Sequence, residues 1–226
     1  MSPKSPSSPA KPSSGQWIFQ AALIALAVVP FVVFPPVRCK TKAAPGAATA
    51  RQVFDPQTFA RRFWAEKLVP AAKSATSVAD LYAAIQANPA TAAAKYAHPV
   101  GLGGTSYYFV AGRGVVTAVS DESITLSLPD NPTATVVIET GLVFGNAVRD
   151  GSGLLDVNAF ANSEEFNAVA SALNTIVEIE IIPTARKAGV VGSPLRFSGI
   201  AELANTDSDP RPLSLVPVSV SMEAAP

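Results

Sequence analysis

The stretch Ser106–Val119 constrains this chain more than any other, because it reads as one long strand bent in its middle. Tyr107, Tyr108, Phe109 and Val110 lead into Gly112 and Gly114, and Val115, Val116 and Val119 follow. Aromatic and β-branched side chains suit a pleated, half-buried surface. Glycines inside such a run sit where a strand bends sharply or bulges. Two more strands are predicted at short spacing, Ser123–Leu128 and Ala134–Glu139, with turns at Asp121-Glu122-Ser123 and Pro129–Pro132. A meander whose first strand is long and bent is how small barrels close on themselves.

Downstream, Asn162 or Ser163 caps a helix whose first turn holds Glu164 and Glu165, where the helix dipole favours negative charge. Phe166, Val169, Ala170 and Leu173 line one face of it. Ile176–Ile182 alternates as a strand would, so helix and strand compete there; the reading adopted continues the helix to about Ile182. Leu195–Leu203 and Leu213–Met222 are the last two strands, and Pro217 puts the final one at an edge or a bulge. Three strands, a helix and two strands is the order of an OB-fold, a five-stranded Greek-key barrel. The expected fold class is α+β, with an N-terminal transmembrane helix, a small helical domain, and an OB-like five-stranded barrel over 105–222 carrying a helix between its third and fourth strands.

Upstream material serves to tether that barrel. Residues 1–16 are rich in Ser and Pro and too poor in apolar surface to order themselves. Trp17–Phe34, within the segment 17–35, has no charge and is dense in Ala, Leu, Ile, Val and Phe, near the lower limit for a helix that spans a bilayer. Cys39 lies where a lipid-modified cysteine would, but Arg38 stands where processing wants a small residue. An uncleaved anchor is therefore favoured over lipidation at Cys39. Arg38, Lys40 and Lys42 argue for a cytoplasmic body; a short tail before one apolar segment argues for export, and the reading adopted is an inner-membrane protein whose body faces the periplasm. Residues 36–52 are a flexible linker.

A helical subdomain follows over 53–98. Asp55 caps a helix that has Pro56 at its first position, an apolar face of Phe59, Phe63, Trp64 and Leu68, and Pro70 at its end. A second helix begins after Ser77 and stops at Asn88-Pro89, and a third, alanine-rich, ends at Tyr96. His98 to Thr105 reads as a loop.

Function is less legible. The chain carries 17 basic and 17 acidic residues, which gives no electrostatic case for nucleic acid. One cysteine and one histidine exclude an internal disulfide and any Cys- or His-rich metal site. No cofactor fingerprint and no catalytic set emerge. Asn146, Arg149 and Asp150 form the densest polar cluster of the barrel and, with Asn162 and Asn174, are the candidate binding residues. Arg149, Asp150, Asn162 and Asn174 also suit a structural role, tying the barrel to its helix, and that role is favoured. A buried Arg149 would need a carboxylate or carbonyl partner, whereas an open cleft around it would speak for a ligand. The alternative function is a hydrolase drawing on Asp150, Asp156, Glu164 and Glu165, since paired carboxylates do acid–base work on glycosides.

Several stretches resemble the DUF2291 family of predicted bacterial periplasmic lipoproteins: Phe54-Asp55-Pro56 with Trp64, Lys67 and Pro70; Tyr107–Val116 with its Gly-Arg-Gly; Gly145–Asp150; Phe160–Asn162 with Phe166, Leu173 and Asn174; and Gly192 with Phe197-Ser198-Gly199. They cover about residues 50 to 220. The resemblance implies a helical domain joined to an OB-like barrel at the outer face of the inner membrane. It also implies an accessory role beside sugar-type ABC transporters. The implied partners are the membrane, transporter components or a small solute.

Overall fold

The computed structural model describes residues 54–99, 104–129, 131–204 and 209–223. The tail 1–16, the anchor Trp17–Phe34, the linker 36–52 and Cys39 lie outside the described residues. The predicted helical segment 53–98 and barrel 105–222 fall within one compact unit, Val53–Pro226.

Among the described residues seven strands make one sheet: β1 Thr76–Ser77, β2 Ala97–Pro99, β3 Thr105–Val119, β4 Ser123–Leu128, β5 Asn131–Glu139, β6 Pro194–Ala204 and β7 Leu213–Met222. Pairing runs β3-β4-β5-β7-β6, and β6 pairs back onto β3, so five strands form a ring. The sheet is mixed, because β5 and β7 run parallel. It is also more than the expected five-stranded barrel: β1 and β2 add to the free half of β3. His98 and Pro99, expected as loop, belong with Ala97 to a strand, because His98 pairs with Tyr107 and Pro99 with Ser106. Gly199 faces Pro217 at a bulge, which lets a proline sit in β7 although that strand has neighbours on both sides.

The helices are α1 (residues 56–72), α2 (Val78–Ala87), α3 (Pro89–Tyr96), α4 (Ala147–Asp150) and α5 (residues 163–188). Asp55 caps α1, its carboxylate accepting from the Gln57 N–H at 3.0 Å and from the Thr58 hydroxyl. Both long helices run past the ends expected for them, at Pro70 and at about Ile182. The reason is a shared device. A π-turn precedes each proline by two residues: Trp64–Leu68 before Pro70 and Val177–Ile181 before Pro183. In these turns the N–H of Val69 donates to Trp64 and that of Ile182 to Val177, five residues back. A proline ring inside a helix clashes with the carbonyl four residues earlier and offers no N–H. Widening the turn by one residue relieves the clash and absorbs the missing donor.

Two cores meet across the sheet. Inside the ring, Val110, Val116, Ile124, Leu126, Val136, Ile138, Leu195 and Phe197 pack with Leu81, Tyr82 and Ile85 of α2. Tyr82 is closed off there: its hydroxyl donates to the Thr135 carbonyl at 2.9 Å, and burial pushes its pKa up to about 12. Outside the ring, Tyr107 and Phe109 of β3, Ile200 of β6 and Val216 of β7 pack against Phe63, Trp64 and Leu68 of α1 and Leu173 and Ile176 of α5. The period of two along β3 sends Tyr108 and Val110 inward and Tyr107 and Phe109 outward. Cover on both faces explains why Ser106–Val110 is buried throughout.

Candidate binding pocket

The outer face of β3 changes character where α1 runs out. Tyr107 and Phe109 are covered, but the next residues of the same face are Ala111 and Arg113. Register extends the change across the sheet. Ser77, Ala111, Ser198 and Ser219 stand on one rung of β1, β3, β6 and β7, and Arg113, Arg196 and Ser221 stand on the next rung of β3, β6 and β7. Above this polar floor lie Val69, Ala72, Lys73 and Ala75, from the end of α1 and the turn after it. Leu128 and Pro129 close one side. The half-open space between them is about 630 Å³.

Its chemistry is that of a donor surface. Lys73, Arg113 and Arg196 line it, with no carboxylate among the described lining residues. Ser198 is buried, and its hydroxyl bonds that of Ser219 at 2.7 Å. Arg196, 68% exposed at its side chain, pairs with Glu223 at 2.9 Å.

The residues predicted from sequence lie elsewhere and do not gather at one point. Asn146 and Asn174 line a second space of about 380 Å³, with Val143, Phe144, Ser171 and Glu178. Asn174 donates its amide to the Gly145 carbonyl at 3.0 Å, while its Oδ1 is buried without a partner. Arg149 is enclosed, with 5% of its side chain exposed. Its Nε and Nη2 fork onto the two oxygens of Asp150 at 2.7 and 2.9 Å, Nη1 reaches Asn167 Oδ1 at 2.9 Å, and the guanidinium lies 3.7 Å from the centre of the Phe166 ring. Asn162 caps α5 by accepting from the Glu165 N–H at 2.8 Å, and Glu165 returns a bond from the Ala161 N–H at 3.2 Å. Asp156 accepts from the Asn158 N–H at 2.9 Å, and Glu164 sits in the first turn of α5. Among the described residues no three His, Cys, Asp or Glu side chains cluster as metal ligands. Sequence reasoning missed Lys73, Arg113, Arg196 and the serines. The signal available was the switch, on one face of β3, from aromatic Tyr107 and Phe109 to Ala111 and Arg113.

His98 packs its ring against Gly153, where an added Cβ would come within 2.5 Å of it. Burial lowers its pKa below the ordinary 6.5 by disfavouring the imidazolium. As pH falls, the unfolded chain takes up this proton first. The contribution of His98 to stability is therefore complete above about pH 6.5 and is lost as pH falls from there toward the lower folded value. His98→Gln should remove that part of the acid-side loss in unfolding free energy measured against pH. An unchanged slope would assign the loss to the carboxylates.

The family model DUF2291, described as a predicted periplasmic lipoprotein, matches residues 25–221. The crystal structure of an OB-fold protein from Thermotoga maritima is similar over 75% of this chain and 99% of that one, at 26% identity and a TM-score of 0.65. No curated protein matches the chain.

Proposed function

We propose, from the premise that the chain belongs to DUF2291, a family described as predicted periplasmic lipoproteins, that this protein is a tethered binding module of the cell envelope. Its apolar segment Trp17–Phe34 stays in the inner membrane as an anchor, and the body stands in the periplasm on the 36–52 linker. The role is capture of a small polar solute, as an accessory to a sugar-type transporter, without bond-making chemistry. The observation that carries this reading is the lining of the larger pocket. It offers ammonium, guanidinium and hydroxyl donors, but neither a histidine nor a carboxylate among its described residues to act as general base. Of the carboxylates that would serve a hydrolase, Asp156 and Glu165 accept backbone N–H groups at helix starts and Asp150 is held in the Arg149 pair.

Sidedness and attachment test the reading. In spheroplasts of a two-membrane host, external protease should degrade the body of the full chain, and the untreated chain should pellet with membranes. Cys39→Ala should leave that attachment intact, since the helix and not a lipid holds the body. A chain shielded from external protease, or recovered in the soluble cytosolic fraction, would overturn the reading.

A further inference from the structure

Leu142 and Phe144 are 74% and 78% exposed, the two most exposed large apolar side chains among the described residues. They flank Val143, which is buried in the outer core. The backbone beneath them is tied down. The Val143 N–H donates to Glu178 Oε1 at 3.0 Å, and the Gly145 carbonyl accepts from Asn174 Nδ2 at 3.0 Å. Just before the loop, the Thr140 N–H donates to the Glu122 carbonyl at 2.7 Å, and the Thr140 carbonyl accepts from Arg186 at 2.9 Å. The loop is thus fastened to the β3–β4 turn and to α5, and its two largest apolar groups still stand in water. Ile179, 55% exposed, follows Glu178 on α5 and adds a third. We infer that Leu142, Phe144 and Ile179 form a membrane-contact site that dips into the headgroup boundary of the bilayer. The inference rests on reading Trp17–Phe34 as a retained anchor, and it adds the surface that the body turns to the lipid.

Three physical points favour lipid as the occupant. Only 19 residues separate Phe34 from Phe54. A chain of that length has a root-mean-square span of about 25 Å, so the anchor keeps the body beside the bilayer. Contact is then an intramolecular step, and a small apolar patch suffices for it. A stable protein partner would need about 800 Å² from this side, more than three side chains supply. The surroundings fit as well. Phe144 neighbours Asn146, Ser171 and Thr175, neutral groups suited to the headgroup level while leucine and phenylalanine enter the acyl boundary. Glu178, beside the loop, already accepts the Val143 N–H. Arg186 is engaged by the Asp121 and Thr140 carbonyls. The contact is therefore apolar in character, and neither salt nor anionic lipid should govern it.

The single cysteine of the chain makes a site-directed test direct. In a Cys39→Ser background, the full chain is given one new cysteine, labelled with an environment-sensitive fluorophore, and reconstituted into phosphatidylcholine vesicles with and without phosphatidylglycerol. Both leaflets carry lipids spin-labelled high on the acyl chain. Labels at Leu142→Cys, Phe144→Cys and Ile179→Cys should be quenched by about twofold or more, since an apolar face of this kind sits about 5–10 Å into the boundary. A label at Ala94→Cys, an exposed position of α3, should be quenched little. Added salt and the anionic lipid should leave this pattern unchanged. Leu142→Ser with Phe144→Ser should bring the quenching at residue 179 down to the level at residue 94. That variant should keep the parent's melting temperature, because both side chains already face water. Equal quenching at all four positions, or none at 142 and 144 in chains that float with the vesicles, would overturn the inference and leave the tethered-module reading standing. A blue shift at 144 that follows protein density and ignores the spin labels would assign the patch to a second copy of the chain and overturn it too. Chains that fail to float with the vesicles would overturn the anchor itself, and the inference with it.

Discussion

Asp150→Ala is expected to destabilise the protein by about 4 kcal/mol, and Arg149→Met by only about 2 kcal/mol, although the two residues form one ion pair. The asymmetry follows from where each charge sits. The side chain of Arg149 is 5% exposed and that of Asp150 is 31% exposed. Removing the carboxylate strands a guanidinium that water scarcely reaches, with Nε and Nη2 left without acceptors. Removing the guanidinium strands a carboxylate that water partly solvates, and methionine keeps an apolar, polarizable contact with the Phe166 ring that Arg149 now covers. Urea unfolding of the full chain, with unchanged m-values, measures both. The double variant should cost clearly less than the sum, because no charge is then left unpaired. A larger loss for Arg149→Met than for Asp150→Ala would show that the carboxylate is the more deeply desolvated partner and would sink the argument. The enclosure of Arg149 also bears on its role. A guanidinium that already holds Asp150, Asn167 and the Phe166 carbonyl has its donors engaged inside the protein.

Much of the framework was legible because local chemistry and global pairing agree in it. Ser123–Leu128 and Leu213–Met222 are strands with the expected bounds, set by turn residues on one side and by alternating apolar positions along their length. Asp55 and Asn162 cap helices as short polar residues before apolar periodicity should. The errors share a physical origin. Pro70, and the strand-like alternation of Ile176–Ile182, both suggested helix ends. A π-turn ahead of each proline carried the helices on to Ala72 and Ala188, and nothing in a local pattern announces a π-turn. The larger pocket was hidden for another reason. Arg113 and Arg196 share no motif and meet only through the register of β3 with β6. By contrast Asn146, Arg149 and Asp150 drew notice because they are close in sequence. Closeness along the chain marked a tightly packed corner, while the converging cations came from separate segments.

That corner yields the other large effect, because α4 approaches β6 with no room for a side chain at its end. Gly151→Ala is expected to cost about 3 kcal/mol, at the upper end of what overpacking a core does, and to lower the melting temperature by roughly 6–12 °C for a unit of this size. A Cβ at this position would lie 2.1 Å from Ile200 Cγ2 and 2.6 Å from the Ala147 carbonyl oxygen. Neither neighbour gives way cheaply. Ile200 is 1% exposed and belongs to the outer core, and its backbone is paired to Phe109 of β3 and Val216 of β7. The Ala147 carbonyl accepts the Gly151 N–H at 2.7 Å, so moving it breaks the bond that closes α4. The backbone at Gly151 has φ −69°, which alanine adopts freely, so the penalty is steric and not conformational. That distinction makes the prediction sharp. Ile200→Ala removes the methyl group in closest conflict but not the Ala147 carbonyl, so in its presence Gly151→Ala should cost less than in the parent protein while keeping the part of the penalty set by that carbonyl. A double-mutant cycle that returns simple additivity would mean that α4 relaxes away from the sheet, and that the contact does not hold this end of the outer core in place.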